Sequence, residues 1–286
     1  TFFNVNEEDQ IKLAEKAASI GVELFVIDDG WFGARNSDNA GLGDWRVNPQ
    51  KFPKGLTPLI EKVNALGMDF GIWVEPEMVN EDSDLYRMHP DWVMRFPKCK
   101  PEKGRNQWNL NVAKPEVAEF IFNSVDALLS NYNIKFVKWD MNKSITDPGW
   151  IEFEIDRREE IWMRYVWNLY EIFDSLRNKH PHVMFETCSG GGGRVDLGIL
   201  HRTDQFWTSD NTNPYDRLII QEGCSYVYSA KSMVAWVTDS GNFDLKYRFH
   251  SAMMGVLGIG ANLHKWSEND FKLAKSMIEE YKKIRH

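Results

Sequence analysis

Short apolar runs alternate with segments of helical periodicity along the whole chain. After Asn6, apolar residues recur every three or four positions, the spacing of one helix face, and Asn6 is a predicted N-cap. Eight runs have the length and apolar character of buried strands. They are Thr1–Val5, Glu23–Asp28, Met68–Val74, Ile134–Trp139, Val183–Glu186, Asp204–Thr208, Met233–Thr238 and Val256–Asn262.

Six further segments with a helical pattern lie between or after these runs. Pro115 stands at a first-turn position, and Ser267 with Asp270 predicts a capping box at the start of the last helix. The segments are Thr57–Leu66, Pro115–Asn131, Arg157–Lys179, Arg217–Ser229, Leu245–Met254 and Ser267–Ile284.

Alternating strands and helices predict a parallel sheet, which either closes into a barrel or stays open as a doubly wound sheet. Eight strands with polar residues just after them favour closure, and 286 residues suit one barrel of about 250 residues. We therefore predict an α/β fold with a single domain over residues 1–286, a (β/α)8 TIM barrel. The chain opens at Thr1 within an apolar run, so we expect its N-terminal strand to be clipped.

Composition excludes several classes of protein. No run approaches the roughly 20 apolar residues of a membrane span, and a net charge of −8 argues against nucleic acid as a partner. Three scattered cysteines, Cys99, Cys188 and Cys224, form neither a disulfide framework nor a Cys-x-x-Cys metal spacing. We expect a reducing compartment and place the protein in the cytoplasm.

Carboxylates gather where the predicted strands end. One alternative is that they cap the following helices, but eight of them at six strand ends favour a shared site at the barrel mouth. These acids are Asp28, Asp29, Glu75, Glu77, Asp140, Glu186, Asp210 and Asp239. Lys138, Asp140 and Asn142 share one strand face by alternation. Two long insertions, Gly30–Gly55 and Pro76–Val112, begin at strand ends and are expected to form the rim.

Tryptophan gives a second indication of a sugar site, because indole faces pack on the apolar C–H patches of sugar rings. Several of the 12 tryptophans lie beside the acids, whereas Trp162 and Trp167 lie within a helix and are assigned to core packing. The tryptophans near acids are Trp31, Trp45, Trp73, Trp108, Trp139, Trp207 and Trp266.

A glycosidase needs one ionised carboxylate and one that starts protonated. Asp140 fits the first role because Lys138 would keep it ionised, and Asp210 fits the second because burial beside an aromatic strand would raise its pKa. These arguments offer candidates, but the residues alone do not select the pair.

Six motifs in order resemble the catalytic domain of the α-galactosidases of glycoside hydrolase family 36. They are Phe-Val-Ile-Asp28-Asp29-Gly-Trp-Phe-Gly, Gly-Ile-Trp73-Val-Glu-Pro-Glu-Met, Gly104-Arg105-Asn-Gln-Trp, Val-Lys138-Trp-Asp140-Met-Asn142, Cys188-Ser-Gly-Gly-Gly-Gly-Arg194 and Trp-Thr-Ser-Asp210-Asn. The resemblance covers essentially the whole chain. It implies a retaining enzyme that hydrolyses terminal α-galactosides in melibiose or raffinose-type oligosaccharides.

The resemblance also implies a role for each site residue. Asp140 would be the nucleophile and Asp210 the general acid/base, while Asp28 and Asp29 would bind the 4- and 6-hydroxyls. The remaining implied members of the galactose subsite are Trp73, Arg105, Lys138, Asn142, Cys188 and Gly191. Family members usually carry a β-sandwich domain before the barrel and a smaller β domain after it, and the resemblance allows for a homo-oligomer of the full-length protein.

Other functions stay open at this point. Two alternatives lie within the family, namely hydrolysis of α-N-acetylgalactosaminides and transfer of galactosyl groups. A third alternative is not an enzyme but a sugar-binding fragment without activity. A metal-dependent barrel enzyme is disfavoured, since the His-x-His at His180 and His182 precedes a strand and so lies on the wrong face. We therefore predict no metal and no cofactor.

Overall fold

The computed structural model describes residues 2–285, apart from the side chains of Phe2 and Ile155. Within this range there are nine strands: β1 (Leu24–Ile27), β2 (Asp69–Val74), β3 (Met78–Asn80), β4 (Gln107–Asn109), β5 (Phe136–Trp139), β6 (Met184–Thr187), β7 (Gln205–Trp207), β8 (Met233–Val237) and β9 (Val256–Ile259). The helices are α1 (Glu7–Ser19), α2 (Thr57–Ala65), α3 (Asp84–Met88), α4 (Pro115–Asn131), α5 (Glu160–Lys179), α6 (Leu197–Leu200), α7 (Pro214–Ser225), α8 (Leu245–Ala252) and α9 (Glu268–Ile284).

Seven strands form one parallel sheet in the order β1-β2-β5-β6-β7-β8-β9. The order follows the chain without the reversal that defines a doubly wound sheet, so that alternative is wrong. The sheet is curled, because Lys138 Nζ on β5 lies 4.6 Å from the ring centre of Trp236 on β8. Three strand spacings would separate these strands by about 14 Å in a flat sheet. The fold is therefore of the α/β-barrel type.

The predicted first strand, Thr1–Val5, is wrong. Thr1 lies outside the described residues, and Phe2–Asn4 form a 3-10 helix. Tertiary contacts hold this segment against the first insertion, since Lys51 Nζ donates to the carbonyl of Phe3 at 2.8 Å and the Arg35 guanidinium lies over the Phe3 ring. An apolar run becomes a strand only where a neighbouring strand can pair with it.

Helix starts follow local capping chemistry. Asn6 accepts from the amide of Asp9, and Ser267 with Asp270 forms the predicted capping box. Helix α4 has the predicted bounds. Helix α7 begins three residues earlier than predicted, because Asn213 caps it and Pro214 occupies its first turn. Helix α5 begins at Glu160 rather than Arg157, after a short 3-10 turn.

The assignment of Trp162 and Trp167 to the core is wrong, since they are 49% and 57% exposed. Helix α5 buries one face, whose members recur at helical spacing, and both tryptophans lie on the other side. The buried residues of α5 are Ile161, Tyr165, Leu169, Ile172, Phe173 and Leu176. No helix among residues 2–285 is long and apolar enough to cross a membrane.

Both long insertions lie at the carboxyl ends of the parallel strands. The second contains α3 and the antiparallel pair β3–β4, none of which was predicted. Asn80, fully buried at the end of β3, accepts from Arg35 Nη1 and the amide of Leu42 in the first insertion. Its amide group donates to the carbonyls of Asp38 and Asn106. The two insertions are thus joined into one rim.

Candidate active site

A cavity of ≈ 560 Å³ lies at the carboxyl ends of the sheet strands. Nine of the ten predicted site residues line it, because strands that pair in parallel bring their following residues to one edge. They are Asp28, Asp29, Trp73, Arg105, Lys138, Asp140, Asn142, Cys188 and Asp210. Four further residues also line it, namely Trp207, which is one of the tryptophans predicted near acids, and Gly190, Thr212 and Trp236.

Asp140 directly follows β5 and is 6% exposed. Its Oδ1 accepts from the amide of Met141 at 2.8 Å. Its Oδ2 accepts from Asn142 Nδ2 at 2.7 Å and from Trp73 Nε1 at 3.2 Å. Three donors from two neighbouring strand ends therefore hold one carboxylate in a single orientation.

Lys138 lies in a row across the sheet, between Trp73 on β2 and Glu186 on β6. Its Nζ lies 3.3 Å from Asp28 Oδ2. Burial lowers the pKa of Lys138, but the charges of Asp28, Glu186 and Asp140 outweigh burial and raise it overall. The side chain is therefore an ammonium ion, and its direct ion pair is with Asp28.

The two neighbouring acids after β1 have different surroundings. Both oxygens of Asp29 accept from Arg35, at 2.9 and 2.8 Å, and Arg35 is 1% exposed. Asp28 has a largely exposed side chain whose ion pair is with Lys138. Each carboxylate oxygen has two lone pairs, so both acids can still accept from a ligand hydroxyl.

Asp210 lies in the loop between β7 and α7, where its Oδ1 accepts from Trp207 Nε1 at 2.9 Å. Its side chain is exposed at the cavity mouth, so the predicted burial of Asp210 is wrong. The apolar strand ends before the acid, and the loop carries it out toward solvent.

Gly191 lies behind the cavity wall, and Gly190 lines the cavity instead. A Cβ on Gly191 would stand 2.9 Å from the amide nitrogen of Asp210, and its φ of +89° is left-handed. The glycine therefore allows the loop after β6 to pack against the loop of Asp210. Cys188 beside it is 2% exposed, and burial raises the pKa of its thiol, which stays neutral.

Arg105 reaches the cavity from the second insertion, through an unusual backbone. Arg105 and Asn106 have φ of 52° and 60°, the left-handed region that costs non-glycine residues energy. Arg105 Nε lies 3.5 Å from Asp38 Oδ1 in the first insertion. Side-chain and backbone contacts of the rim thus set the position of this guanidinium.

Other acids at the strand ends lie beneath the cavity. Glu77 is fully buried and accepts from Trp139, Tyr165 and Arg194, which is a structural network. Burial and the charge of Asp140 raise the pKa of Glu75 to about 8. Burial also raises the pKa of Glu186 to about 7, against the opposing effect of Lys138.

The tryptophans divide between the cavity and the core. Of those predicted near acids, Trp73 and Trp207 line the cavity, whereas Trp31, Trp108 and Trp139 are core residues that do not. Trp236 also lines the cavity and is absent from the predicted set. It lies near the end of β8, and a position near a strand end is the signal that identified the other tryptophans. Within the described part of the chain, no cluster of three or more His, Cys, Asp or Glu side chains could hold a metal ion.

A curled parallel sheet whose strand ends surround a cavity of acids, a lysine and indoles is the arrangement of the α/β-barrel glycoside hydrolases. The chain belongs to the Melibiase family, whose model matches residues 1–286.

Relatives of known name agree with this assignment. The α-galactosidase AgaA of Geobacillus stearothermophilus is 43% identical over 291 residues, covering 100% of this chain and 40% of that protein. An α-galactosidase of Escherichia coli is 45% identical over 264 residues, covering 90% of this chain and 36% of its own. The crystal structure of AgaA, a family 36 enzyme, superposes with a TM-score of 0.97 at 42% identity and covers 100% of this chain and 40% of that chain. This chain thus spans about two fifths of the length of these relatives.

Proposed function

We propose that this chain is the catalytic region of a retaining α-galactosidase that hydrolyses terminal α-D-galactosyl groups of melibiose and raffinose-type oligosaccharides. The observation that carries the proposal is that Asp140 and Asp210 line one cavity together with Asp28, Asp29 and Lys138. Structures of AgaA variants in complex with raffinose and with stachyose support oligosaccharides as the substrate class.

In the first step, a carboxylate oxygen of Asp140 attacks the anomeric carbon while the glycosidic C–O bond breaks and Asp210 protonates the departing oxygen. In the second step, Asp210 takes a proton from water, whose oxygen attacks the same carbon and releases Asp140. The donors Met141, Asn142 and Trp73 support the first role by fixing the orientation of the Asp140 carboxylate before attack.

Selection of galactose is assigned to acceptors opposite its 4- and 6-hydroxyls. Asp28 and Asp29 are the proposed acceptors, because a fixed acceptor penalises an epimer that cannot reach it. Trp73, Arg105, Asn142 and Cys188 complete the proposed subsite, with Gly191 acting from behind the wall. Hydrolysis of N-acetylgalactosaminides and galactosyl transfer are the alternatives within the family, and a sugar-binding fragment without activity is the third.

We also infer the complete (β/α)8 barrel. Among residues 2–285, β1 and β9 each pair with one neighbour in the sheet, which leaves an edge on either side of one gap. Helix α9 lies close to the start of β1, since Lys282 Nζ donates to the carbonyl of Gly21 at 2.7 Å. Such closeness of the first and last units supports closure by one further strand. A homo-oligomer of the full-length protein and a cytoplasmic location stay predictions.

The test of the function is turnover by the complete protein of two nitrophenyl α-glycosides, the galactoside and the N-acetylgalactosaminide. We expect hydrolysis of the galactoside, release of α-galactose first by NMR, and an unchanged rate in EDTA. Asp140→Gly should abolish turnover, and azide with α-galactosyl fluoride should restore it and yield the β-azide. Binding without turnover, preference for the N-acetyl sugar, or initial release of β-galactose would each contradict a stated part of the proposal.

A further inference from the structure

Arg217 is a buried cation with few partners. It lies on α7, close in sequence to the loop of Asp210, and is 2% exposed. Its Nη2 donates to the carbonyl of Val234 over a long 3.4 Å. Its Nε and Nη1 have no hydrogen-bond partner among the described residues. No carboxylate forms a salt bridge with it in that part of the chain.

The guanidinium of Arg217 lies against an indole of the candidate site. Its Cζ is 4.4 Å from the ring centre of Trp207, within the range of a cation–π contact. Trp207 lines the cavity, and its Nε1 donates to Asp210 Oδ1 at 2.9 Å. Trp207 is also in contact with Trp236, with ring centres 4.4 Å apart. The indole that holds Asp210 is thus itself held by Arg217 and Trp236.

Such an arginine is a poor choice for stability alone. Burial lowers the pKa of Arg217 to about 10, and Cys224 and Asp210 offset only part of that effect. An apolar side chain of similar volume in place of a poorly compensated buried charge is often neutral or stabilising. The contact with Trp207, rather than packing, is therefore the feature that distinguishes arginine from methionine at this position.

We propose that Arg217 is a positioning residue for the general acid, which acts by holding the Trp207 indole so that its N–H orients the carboxyl of Asp210. This inference rests on the proposed function, because it assumes that Asp210 protonates the departing oxygen. Arg217 itself does not line the cavity.

The experiment compares Arg217→Met and Arg217→Lys in the complete protein, using melibiose and nitrophenyl α-galactoside. Melibiose needs a proton on its departing oxygen, whereas nitrophenolate leaves readily without one. General acids contribute about 10²–10⁴-fold, so in Arg217→Met we expect kcat/KM for melibiose to fall about 10- to 100-fold. For the nitrophenyl substrate we expect a fall of less than about threefold. Arg217→Lys, which keeps the cation, should recover part of the melibiose rate.

The matched control is Arg202→Met. Arg202 also contacts an aromatic ring, that of Tyr170 at 4.2 Å, but lines no part of the cavity. This variant should leave the ratio of the two substrates unchanged. If Arg217→Met does not fold, Arg217→Lys takes its place. We then expect a larger fall in kcat/KM for melibiose than for nitrophenyl α-galactoside, and an equal fall for both would contradict the proposal.

A double-mutant cycle tests whether Arg217 acts through the indole. Trp207→Phe keeps a ring but removes the N–H, so adding Arg217→Met to it should cause little further loss with melibiose. Additive losses, or an equal fall for both substrates in Arg217→Met, would overturn the proposal. An unchanged melibiose rate would overturn it too. Failure of the proposed function is distinguishable, since the wild-type protein would then hydrolyse neither substrate.

Discussion

Asp28 and Asp29 show how two adjacent residues of one type acquire different tasks. Asp29 forms a bidentate ion pair with buried Arg35, which also donates to the carbonyls of Asp38 and Ala40. Asp28 faces the cavity and Lys138. Asp29 is therefore a structural residue as well as a candidate ligand, whereas Asp28 is mainly a candidate ligand.

Asparagine at each position separates these tasks. Asp28→Asn should weaken galactose binding by about 2 kcal/mol, the loss of a charge-assisted hydrogen bond. It should destabilise the fold less than Asp29→Asn does, because Asp28 is largely exposed and Lys138 keeps the nearby charges of Glu186 and Asp140. Asp29→Asn should weaken binding too and also destabilise the fold by about 3 kcal/mol, since it leaves buried Arg35 with only the longer 3.5 Å ion pair to Asp38. Titration calorimetry with galactose and thermal unfolding measure the two effects. Unchanged galactose affinity in Asp28→Asn would refute its assignment as a ligand.

At the scale of elements, the two insertions act as one unit because Asn80 on β3 joins them. The side-chain oxygen of Asn80 accepts two hydrogen bonds, and its side-chain nitrogen donates two. One acceptor of that nitrogen is the carbonyl of Asn106, the residue that follows Arg105. The left-handed backbone at Arg105 and Asn106 persists only where surrounding contacts impose it. We infer that the β3–β4 pair positions Arg105 at the cavity.

Asn80→Leu should therefore affect stability and substrate binding together. It keeps the volume but leaves the buried amide of Leu42 unpaired and removes one of the three acceptors of Arg35 Nη1, so we expect a loss of about 2 kcal/mol in chemical unfolding. KM for nitrophenyl α-galactoside should rise as Arg105 loses its position. Asn39→Ala, an exposed change in the first insertion, should alter neither quantity. A stable Asn80→Leu protein with a normal KM would show that the β3–β4 pair does not position Arg105.

At the scale of the whole molecule, two buried acids make stability depend on pH. The pKa of Glu75 rises from 4.5 to about 8, and that of Glu186 rises from 4.5 to about 7. Between the unfolded-state pKa of 4.5 and these raised values, the folded state binds more protons than the unfolded state. The contribution of these two groups to the free energy of unfolding should therefore be complete below pH 4.5. It should be lost as the pH rises to about 8.

Glutamine at either position should flatten this dependence. Glu75→Gln removes the titration but keeps an oxygen that can accept from Gln107 and from the amide of Asn142. Each tenfold change in proton affinity is worth about 1.4 kcal/mol, so the loss between pH 5 and 8 should shrink by at least that amount. Urea unfolding at several pH values measures it. Exposed Glu119→Gln serves as the control, and an identical slope in Glu75→Gln and wild type would contradict the argument.

Local chemistry along the chain was enough to predict most elements of the sheet and the helices. The caps at Asn6 and Ser267 and the bounds of α4 depend on residues within a few positions, so they could be predicted without knowledge of the fold. Parallel order then brings all strand ends to one edge, which is why nine of the ten predicted site residues meet in one cavity.

Contacts between distant segments determined the rest. The chain near Phe3 is not a strand because Lys51 and Arg35 hold it at the rim, and Trp162 is exposed because tertiary packing buries the other face of α5. The β3–β4 pair joins residues about thirty positions apart, which is beyond the reach of a local pattern. Arg217 has no local signature at all, since its proximity to Trp207 exists only once α7 packs on β7 and β8. Spacing along a chain encodes which residues share a face, whereas burial, pairing and ion contacts depend on what the fold places opposite that face.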